Sequence, residues 1–588
     1  MLKTAHTQYR HYALLLFLLT LLTLLMVYPL IQQIAAAFLD KGRPSLYWLS
    51  SVLSDATFRS QLFTSLALGL TVTLLCNLIA FPLALIAARF DFRGKTLLAA
   101  LVLVPMVLPP FVGAIGMKQL LGTFGSLTIL LQHLHLLSPH EGINWLARGG
   151  FWALAALISL GLYPIAYLNL QAALANIDPA MLEAAQNLGG KRFANFRRIT
   201  LPLAMPGIFA GSTIIFIWAF TELGTPLLLD YRRVVSRSIW DDLAQTVSAT
   251  SDNSRAFAKV VLVLVVSVSA YIVGKLTLGR TSHAMTAKAT VGSTTRQLSF
   301  SKGLLAAIPF ILITGLAVLP HLTVVLYSFT AIASEPARGW GSPDIFGWYR
   351  SVLPSRYTLA GYAAVFGKPE IFQSILNSIK YASIATLLNM FLGIAIAWTV
   401  IRTRIKGRLL LDSIAMLPLA VPGLVMAFAF VAVLRQFGLR WIIETSPIYV
   451  LVIAYMVRRM PYLVRSVAGG LQQTSVTLEE AAANLGASPL RVLRKITLPL
   501  ILANLIAGGI LTFAFSMLEV SDSLILAQYP QHFPITKMIY VLGSDTSGPT
   551  NVRDACSLGV LAMMLLILTM TSAALLMGKK LGTIFRAT

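Results

Sequence analysis

The ionisable side chains that interrupt long apolar runs are the places where this sequence could do chemistry. Glu222 in "FTELGTPLLL" and Glu519 in "SMLEVSDSLIL" are carboxylates that would suit a cation or a polyol and oppose an anion. Arg458 and Arg459 stand side by side in "YMVRRMPY" and would favour an anion. His133, His135 and His140, with Glu141, bring metal-binding side chains to "QHLHLLSPHEG", but no thiol and no second acid shares that spacing. An amphipathic gate helix is therefore the preferred reading there, and no metal site is expected. Cys76 and Cys556 give neither a disulfide framework nor a metal spacing and read as small core residues. No hydrolase triad, paired-carboxylate site or zinc-protease motif is present, so the chemistry on offer is binding and passage.

The elements that carry these residues are set by composition. The 588 residues are 57% hydrophobic and 12% charged, with a mean hydropathy of +0.77, far too apolar for an ordinary soluble chain. Crossing a bilayer takes about 20 apolar residues in a helix. Twelve such stretches are expected, at 12–38, 62–88, 97–117, 151–171, 204–229, 256–274, 303–329, 374–401, 409–434, 447–464, 500–526 and 555–577. The first exceeds the roughly 7–15 apolar residues of a signal peptide. Tyr28-Pro29 and Phe38 within it match Leu319-Pro320 and Phe329, so it is expected to be retained.

A net charge of +24 would suggest nucleic acid in a soluble chain, so the location of the charge decides its meaning. The termini and alternate loops carry 25 Lys/Arg against 5 Asp/Glu, whereas the opposite loops carry 17 against 13. That bias places both termini in the cytoplasm and leaves little reason to invoke nucleic acid.

Two readings of the membrane charges stay open. Glu222 and Glu519 each lie about 18 residues past the inner end of a span, or roughly 27 Å along a helix, near the outer mouth. They are either helix-end carboxylates paired with loop arginines or a twofold-related acidic pair lining a gate. Arg458 and Arg459 are either structural partners of Asp412, Glu519 or Asp522, or contacts for an anion. The first half has Gly161 and Leu162 at those positions.

The chain is written twice. "EAAQNLGGKRFANFRRITLP" at 183–202 returns as "EAAANLGASPLRVLRKITLP" at 480–499, identical at 11 of 20 positions. At an offset of 313, Pro105 and Pro109 match Pro418 and Pro422; at 297, Pro164 and Glu222 match Pro461 and Glu519. Six spans per half is an even number, so both halves share one orientation, with a pseudo-twofold axis along the membrane normal. The expected units are 1–278 and 303–588, joined by a basic, Ser/Thr-rich cytoplasmic linker at 279–302.

Asp178-Pro179 and Ser475 are helix starts, and Gly189 and Gly486 suit left-handed helix stops, giving two cytoplasmic helices of about ten residues. Ser488-Pro489 starts a further short helix ending at Arg494-Lys495. Leu201-Pro202 and Leu498-Pro499 are expected to mark corners where the chain turns into the membrane. Helices this short are marginal alone, and their alanine faces suit docking in a groove. Lipid-held interfacial helices would explain the basic ends but not the ordered recurrence.

This pattern resembles the EAA loop of permease subunits of type I ABC importers, fed by a binding protein, and the resemblance covers both halves. It implies an all-α polytopic protein of about twelve spans in two parallel six-helix repeats, in the bacterial inner membrane. It implies coupling elements at Glu183, Ala184, Ala185 and Gly189, and at Glu480, Ala481, Ala482 and Gly486, seated in clefts of a homodimeric cytoplasmic ATPase. The fused form looks most like ferric-iron permeases, with a phosphonate, a sugar phosphate or thiamine as alternative cargo. No G-x-x-x-x-G-K-[ST] is present: Gly189-Gly190-Lys191 lacks the leading glycine and the Ser/Thr. ATP and Mg are therefore expected in the partner, with no cofactor on this chain and no enzyme activity of its own. An external binding protein is expected on the loops 118–150, 230–255 and 330–373. A secondary transporter would explain the parallel halves but not the paired docking phrase, and a membrane enzyme would need a catalytic set that is missing.

Overall fold

The computed structural model describes residues 2–40, 43–123, 125–138, 141–175, 177, 179–189, 191–247, 254–277, 296–330, 357–439, 441–545 and 548–584. Among them the chain is helical almost throughout, and its strand pairings are two-residue contacts. Among the described residues, nine helices are long and apolar enough to cross a membrane, and one sharply bent pair makes a tenth. Ser254–Thr277 and Ile448–Gln473, at 24 and 26 residues, occupy the other two expected spans. The second of these carries Arg458, Arg459 and Arg465, which lower its hydropathy.

The expected spans at 97–117 and 409–434 are not continuous helices. The first is divided into Lys95–Leu101, Val104–Val107 and Pro110–Leu121. The second is divided into Arg408–Ala420 and Gly423–Gln436, bent by 106°. Both breaks fall on the repeated proline. Leu108 and Pro109 are extended, each preceding a proline, and so is Val421 before Pro422. A residue before proline is pushed out of the helical region, and the proline itself cannot donate.

The Leu-Pro corners also need correction. Leu201-Pro202 and Leu498-Pro499 lie inside runs that continue as single spans, Phe193–Leu228 and Pro489–Met517. Each is preceded by a π turn, Phe196–Thr200 and Leu493–Thr497, and a third at Thr23–Val27 precedes Tyr28-Pro29. In all three the proline is the second residue of the helix that follows. The wider turn lets the residue before proline donate five residues back, Leu201 to Phe196 and Leu498 to Leu493. Proline's missing donor thus falls where the ladder is already shifted. Pro489–Val492 likewise runs on into its π turn, so the helix expected to end at Arg494-Lys495 continues inward. The chain reverses earlier, at Gly189 and Gly486.

The two halves exchange their first helices. Tyr28–Ala37 packs on Gly423–Gln436 of the second half, and Phe300–Ser328 packs on Pro110–Leu121 of the first. Accordingly one hydrophobic core joins Leu15, Leu18, Leu22 and Met26 to second-half residues. The other joins Ala307, Phe310 and Ala317 to the first half. The contact is close: a Cβ on Gly116 would overlap the Pro320 carbonyl. The second helix of each half, Ala56–Arg89 and Pro369–Arg402, is 34 residues long and packs on the fourth and fifth spans. Of the linker, 279–295 lies outside the described residues. Its end returns to the first half, where Arg296 and Gln297 pair in parallel with Phe90 and Asp91. The core of the outer loop, 331–356, also lies outside them.

Candidate functional site

The repeated phrase builds two matching nine-residue helices, Pro179–Asn187 and Val476–Asn484. Ser475 caps the second by accepting from Thr477 N–H at 3.2 Å; Asp178, expected to cap the first, lies outside the described residues. Each helix stops at a left-handed glycine, Gly189 with φ +78° and Gly486 with φ +85°. A Cβ there would meet nothing within 4 Å, so glycine is required by the backbone angle and not by space. Their amides donate to Gln186 and Ala483, closing the ends.

Glu183, Ala184, Glu480 and Ala481 are exposed, and Ala185 and Ala482 are half-buried. The larger signal is one the sequence reading passed over. Three apolar side chains per half protrude at matched positions: Met181, Leu188 and Phe193 in the first, Leu478, Leu485 and Leu490 in the second. Leu188 and Leu485 are 89% and 90% exposed. Burying a side chain of this size yields about 1.5–3 kcal/mol. Both helices therefore present apolar contact area that the described residues leave uncovered, and the exact repeat of those positions could have revealed it.

The membrane charges converge on one narrow cavity of about 70 Å³. Glu222, Glu519, Arg458 and Arg459 all line it, together with Pro110 and Gly423 at the two helix breaks. Each glutamate sits where its span ends, after Thr221 and after Met517, just before the short helices Gly224–Leu228 and Ser521–Leu526. Each backbone carbonyl is held alike, Glu222 by the Ser236 hydroxyl at 2.6 Å and Glu519 by the Thr536 hydroxyl at 2.8 Å.

The side chains then diverge. Glu222 accepts from the Thr225 amide and hydroxyl, both at 3.2 Å, and so serves the start of the next short helix. Glu519, 2% exposed, pairs with Arg458 Nε at 3.0 Å and with Arg459 Nη2. Its partners are arginines of the tenth span, not of the loops. Asp412 pairs instead with Arg465 at 3.4 Å. Asp522 is fully buried, and neither of its carboxylate oxygens accepts a hydrogen bond. Arg458 Nη1 and Arg459 Nε are likewise left without a protein acceptor. The Arg458 guanidinium lies where a Cβ on Gly423 would be, so any larger residue there must displace it. In the first half the bulk is reversed: Pro110 occupies the break and Gly161 faces it, and a Cβ on Gly161 would lie 3.4 Å from the Pro110 ring.

Of the histidines, His133 ends the helix Ser126–His133 and His135 follows in a turn with φ +57°; His140 lies outside the described residues. Among the described residues no cluster of His, Cys, Asp or Glu could hold a metal ion. Cys76 and Cys556 are buried and unpaired. His321, which the sequence reading did not single out, is buried with Nε2 3.1 Å from the Pro109 carbonyl, steadying the first-half break from the second half.

Comparison with known proteins gives the same picture twice over. Residues 80–283 and 389–581 each match the family model of the binding-protein-dependent transport system inner membrane component. The ferric transport system permease protein FbpB of Actinobacillus pleuropneumoniae is 25% identical over 92% of this chain and 75% of its own length. The Fe(3+)-transport system permease protein FbpB 2 of Haemophilus influenzae is 23% identical over 75% of this chain and 76% of its own. The molybdenum transport system permease protein ModB of Escherichia coli is 31% identical over 34% of this chain and 92% of its own.

Proposed function

The chain belongs to the family of binding-protein-dependent transport system inner membrane components, and from that premise we propose that it is the fused permease of a ferric-iron importer. An external binding protein delivers the solute to the outer loops. A separate ATPase, taken as a homodimer with its own ATP and Mg, grips the two docking helices from the cytoplasm. The chain itself binds no cofactor and hydrolyses nothing. Both termini lie in the cytoplasm, and the functional units are 1–278 and 303–588.

The observation that carries this reading is the pair of docking helices, alike in length, stop glycine and protruding apolar side chains. Two equal handles call for a partner with two equal clefts. The cargo assignment is supported by relatives that match along most of this chain. The path runs through the cavity between Glu222, Glu519, Arg458 and Arg459, which at about 70 Å³ admits a few waters and no large solute as it stands. Opening it requires the helix breaks at Pro109 and Pro422 to part.

The Arg458 and Arg459 nitrogens that lack protein acceptors favour one second reading, an organic anion such as a phosphonate or sugar phosphate. Thiamine, a cation, gains nothing from them. The test is uptake by the permease with its ATPase and binding protein in proteoliposomes. Radiolabelled ferric iron should accumulate with ATP, and Glu183→Ala with Glu480→Ala should abolish accumulation while ATP hydrolysis continues. Uptake of an anion in place of iron would sink the cargo assignment. Unchanged uptake in the double variant would sink the docking role of those glutamates.

A further inference from the structure

Beneath the second docking helix lies a cluster absent from the first. Glu479, next to Glu480, points back toward the membrane helices. Its carboxylate receives Arg402 Nε, at 3.2 Å to both oxygens, and the Thr497 hydroxyl at 3.1 Å. Arg402 also donates to the Thr474 carbonyl at 3.2 Å and hydroxyl at 2.8 Å. Arg402 ends the 34-residue helix Pro369–Arg402, and Thr497 closes the π turn that leads into Leu498–Met517. One carboxylate therefore ties the docking helix to two membrane helices. Both ionic side chains are nearly buried, where a charge-assisted hydrogen bond is strong and its loss is costly.

The first half keeps the frame without the keystone. Arg89 and Thr200 stand at the positions matching Arg402 and Thr497, and they bond directly at 3.3 Å. The position matching Glu479 is Leu182.

We propose that Glu479 is the joint through which the second docking helix moves Pro369–Arg402 and Leu498–Met517, so that the ATPase stroke enters the second half more rigidly than the first. This rests on the importer reading given above. Glu479 is a positioning residue: it touches neither solute nor nucleotide, and acts by making the docking helix and the membrane helices move as one body.

The test uses the whole transporter in nanodiscs and proteoliposomes. In Glu479→Gln, ATP hydrolysed per solute moved should rise about tenfold, the scale of one lost charge-assisted contact, while the ATPase still copurifies. Exchanging the charges, Arg402→Glu with Glu479→Arg, should return most of the coupling. Spin labels at Asn484→Cys and Leu500→Cys give the readout that a purely structural role would not move. Their distance should stay fixed through the nucleotide cycle in the parent and change with nucleotide in Glu479→Gln. Should Glu479→Gln fail to fold, Leu182→Glu in the otherwise unaltered chain completes the set with Arg89 and Thr200, and should lower ATP used per solute. An unchanged ratio and an unchanged label distance in Glu479→Gln, or no gain from Leu182→Glu, overturns the proposal. Failure of the parent to copurify with an ATPase would instead overturn the importer reading.

Discussion

The two halves share their hinges and differ in their charges. Val235 N–H donates to Ser65 Oγ at 2.9 Å in the first half, and Ile535 N–H donates to Ser378 Oγ at 2.7 Å in the second. Trp240 meets Tyr540 edge-on at 6.1 Å, each from the matching helix of its half. Where charge is involved, the copies part. Asp55 pairs with Arg255 at 2.8 Å in the first half; at the same corner of the second, Lys368 pairs with Asp554 at 2.9 Å, its polarity reversed. Glycine and bulk trade places at the helix breaks, and an acid replaces leucine beneath the docking helix. Neutral hydrogen bonds that set backbone geometry were copied, whereas charged contacts could be rewritten in pairs because, among the described residues, each ion pair lies within one half. A fused chain fixes which half is which, so such specialisation is never scrambled.

The largest effect should come from the breaks. Gly423→Val must expel Arg458 from its place and strip Glu519 of a partner, whereas Gly161→Ala meets only ordinary contact with Pro110. Uptake should vanish in the first and survive in the second; equal sensitivity would erase the asymmetry. Next is the cavity. Arg459→Leu removes one of two partners of a buried carboxylate, which keeps Arg458, and should cost about 1.5–3 kcal/mol of stability. Glu222→Gln, which keeps an acceptor for Thr225, should cost about 1 kcal/mol or less. Thermal unfolding in detergent reads both.

The outer corners come third. Asp55→Lys with Arg255→Asp rewrites the first-half pair in the polarity of the second and should restore the ion-pair share of the loss, though not the cap that Asp55 gives the Thr57 and Phe58 amides. These sites are partly exposed, so the loss should be about 1 kcal/mol or less. The smallest effect is a pH dependence confined to the second half. Lys537 donates to the Leu524 carbonyl at 2.6 Å beneath Trp240 and Phe533, and burial pushes its ammonium down to about 7. Its counterpart Arg237 keeps acidic partners in Asp230 and Asp241. Because the unfolded chain still holds the Lys537 proton between pH 7 and about 10, stability should rise with pH across that window. Lys537→Met should flatten the rise, and a parent whose stability falls from pH 7 to 9 would refute it.

Much of this was legible in the sequence. The twelve apolar stretches, the offsets between halves and the stop glycines each follow from one local rule, about length, repetition or backbone angle, and apart from the broken stretches at 97–117 and 409–434 the helices stand where those rules put them. The breaks at Pro109 and Pro422 were visible as prolines but not as bends, since proline is tolerated within spans such as those holding Pro164 and Pro461. The π turns were hidden because nothing in Leu201-Pro202 alone separates a corner from a widened turn. The exchange of first helices was out of reach for a deeper reason. Two homologous halves offer nearly equivalent apolar surfaces, and hydropathy does not say which half a helix covers. The pairing of Arg458 and Arg459 with Glu519 was one of the partnerships the sequence offered, and choosing it over Asp412 and Asp522 needed the packing of the tenth span on the eleventh, while Glu479 was in plain view beside a residue that drew more notice.

The most direct test of the central claim asks where the two docking helices are and what covers them. Leu188→Cys and Leu485→Cys would be exposed to a membrane-impermeant maleimide against a low background, since Cys76 and Cys556 are buried. Both should label in inside-out vesicles stripped of the ATPase, be protected once it is added back, and stay unlabelled in right-side-out vesicles. Labelling of either site from the outside, or no protection by the ATPase, would contradict the account.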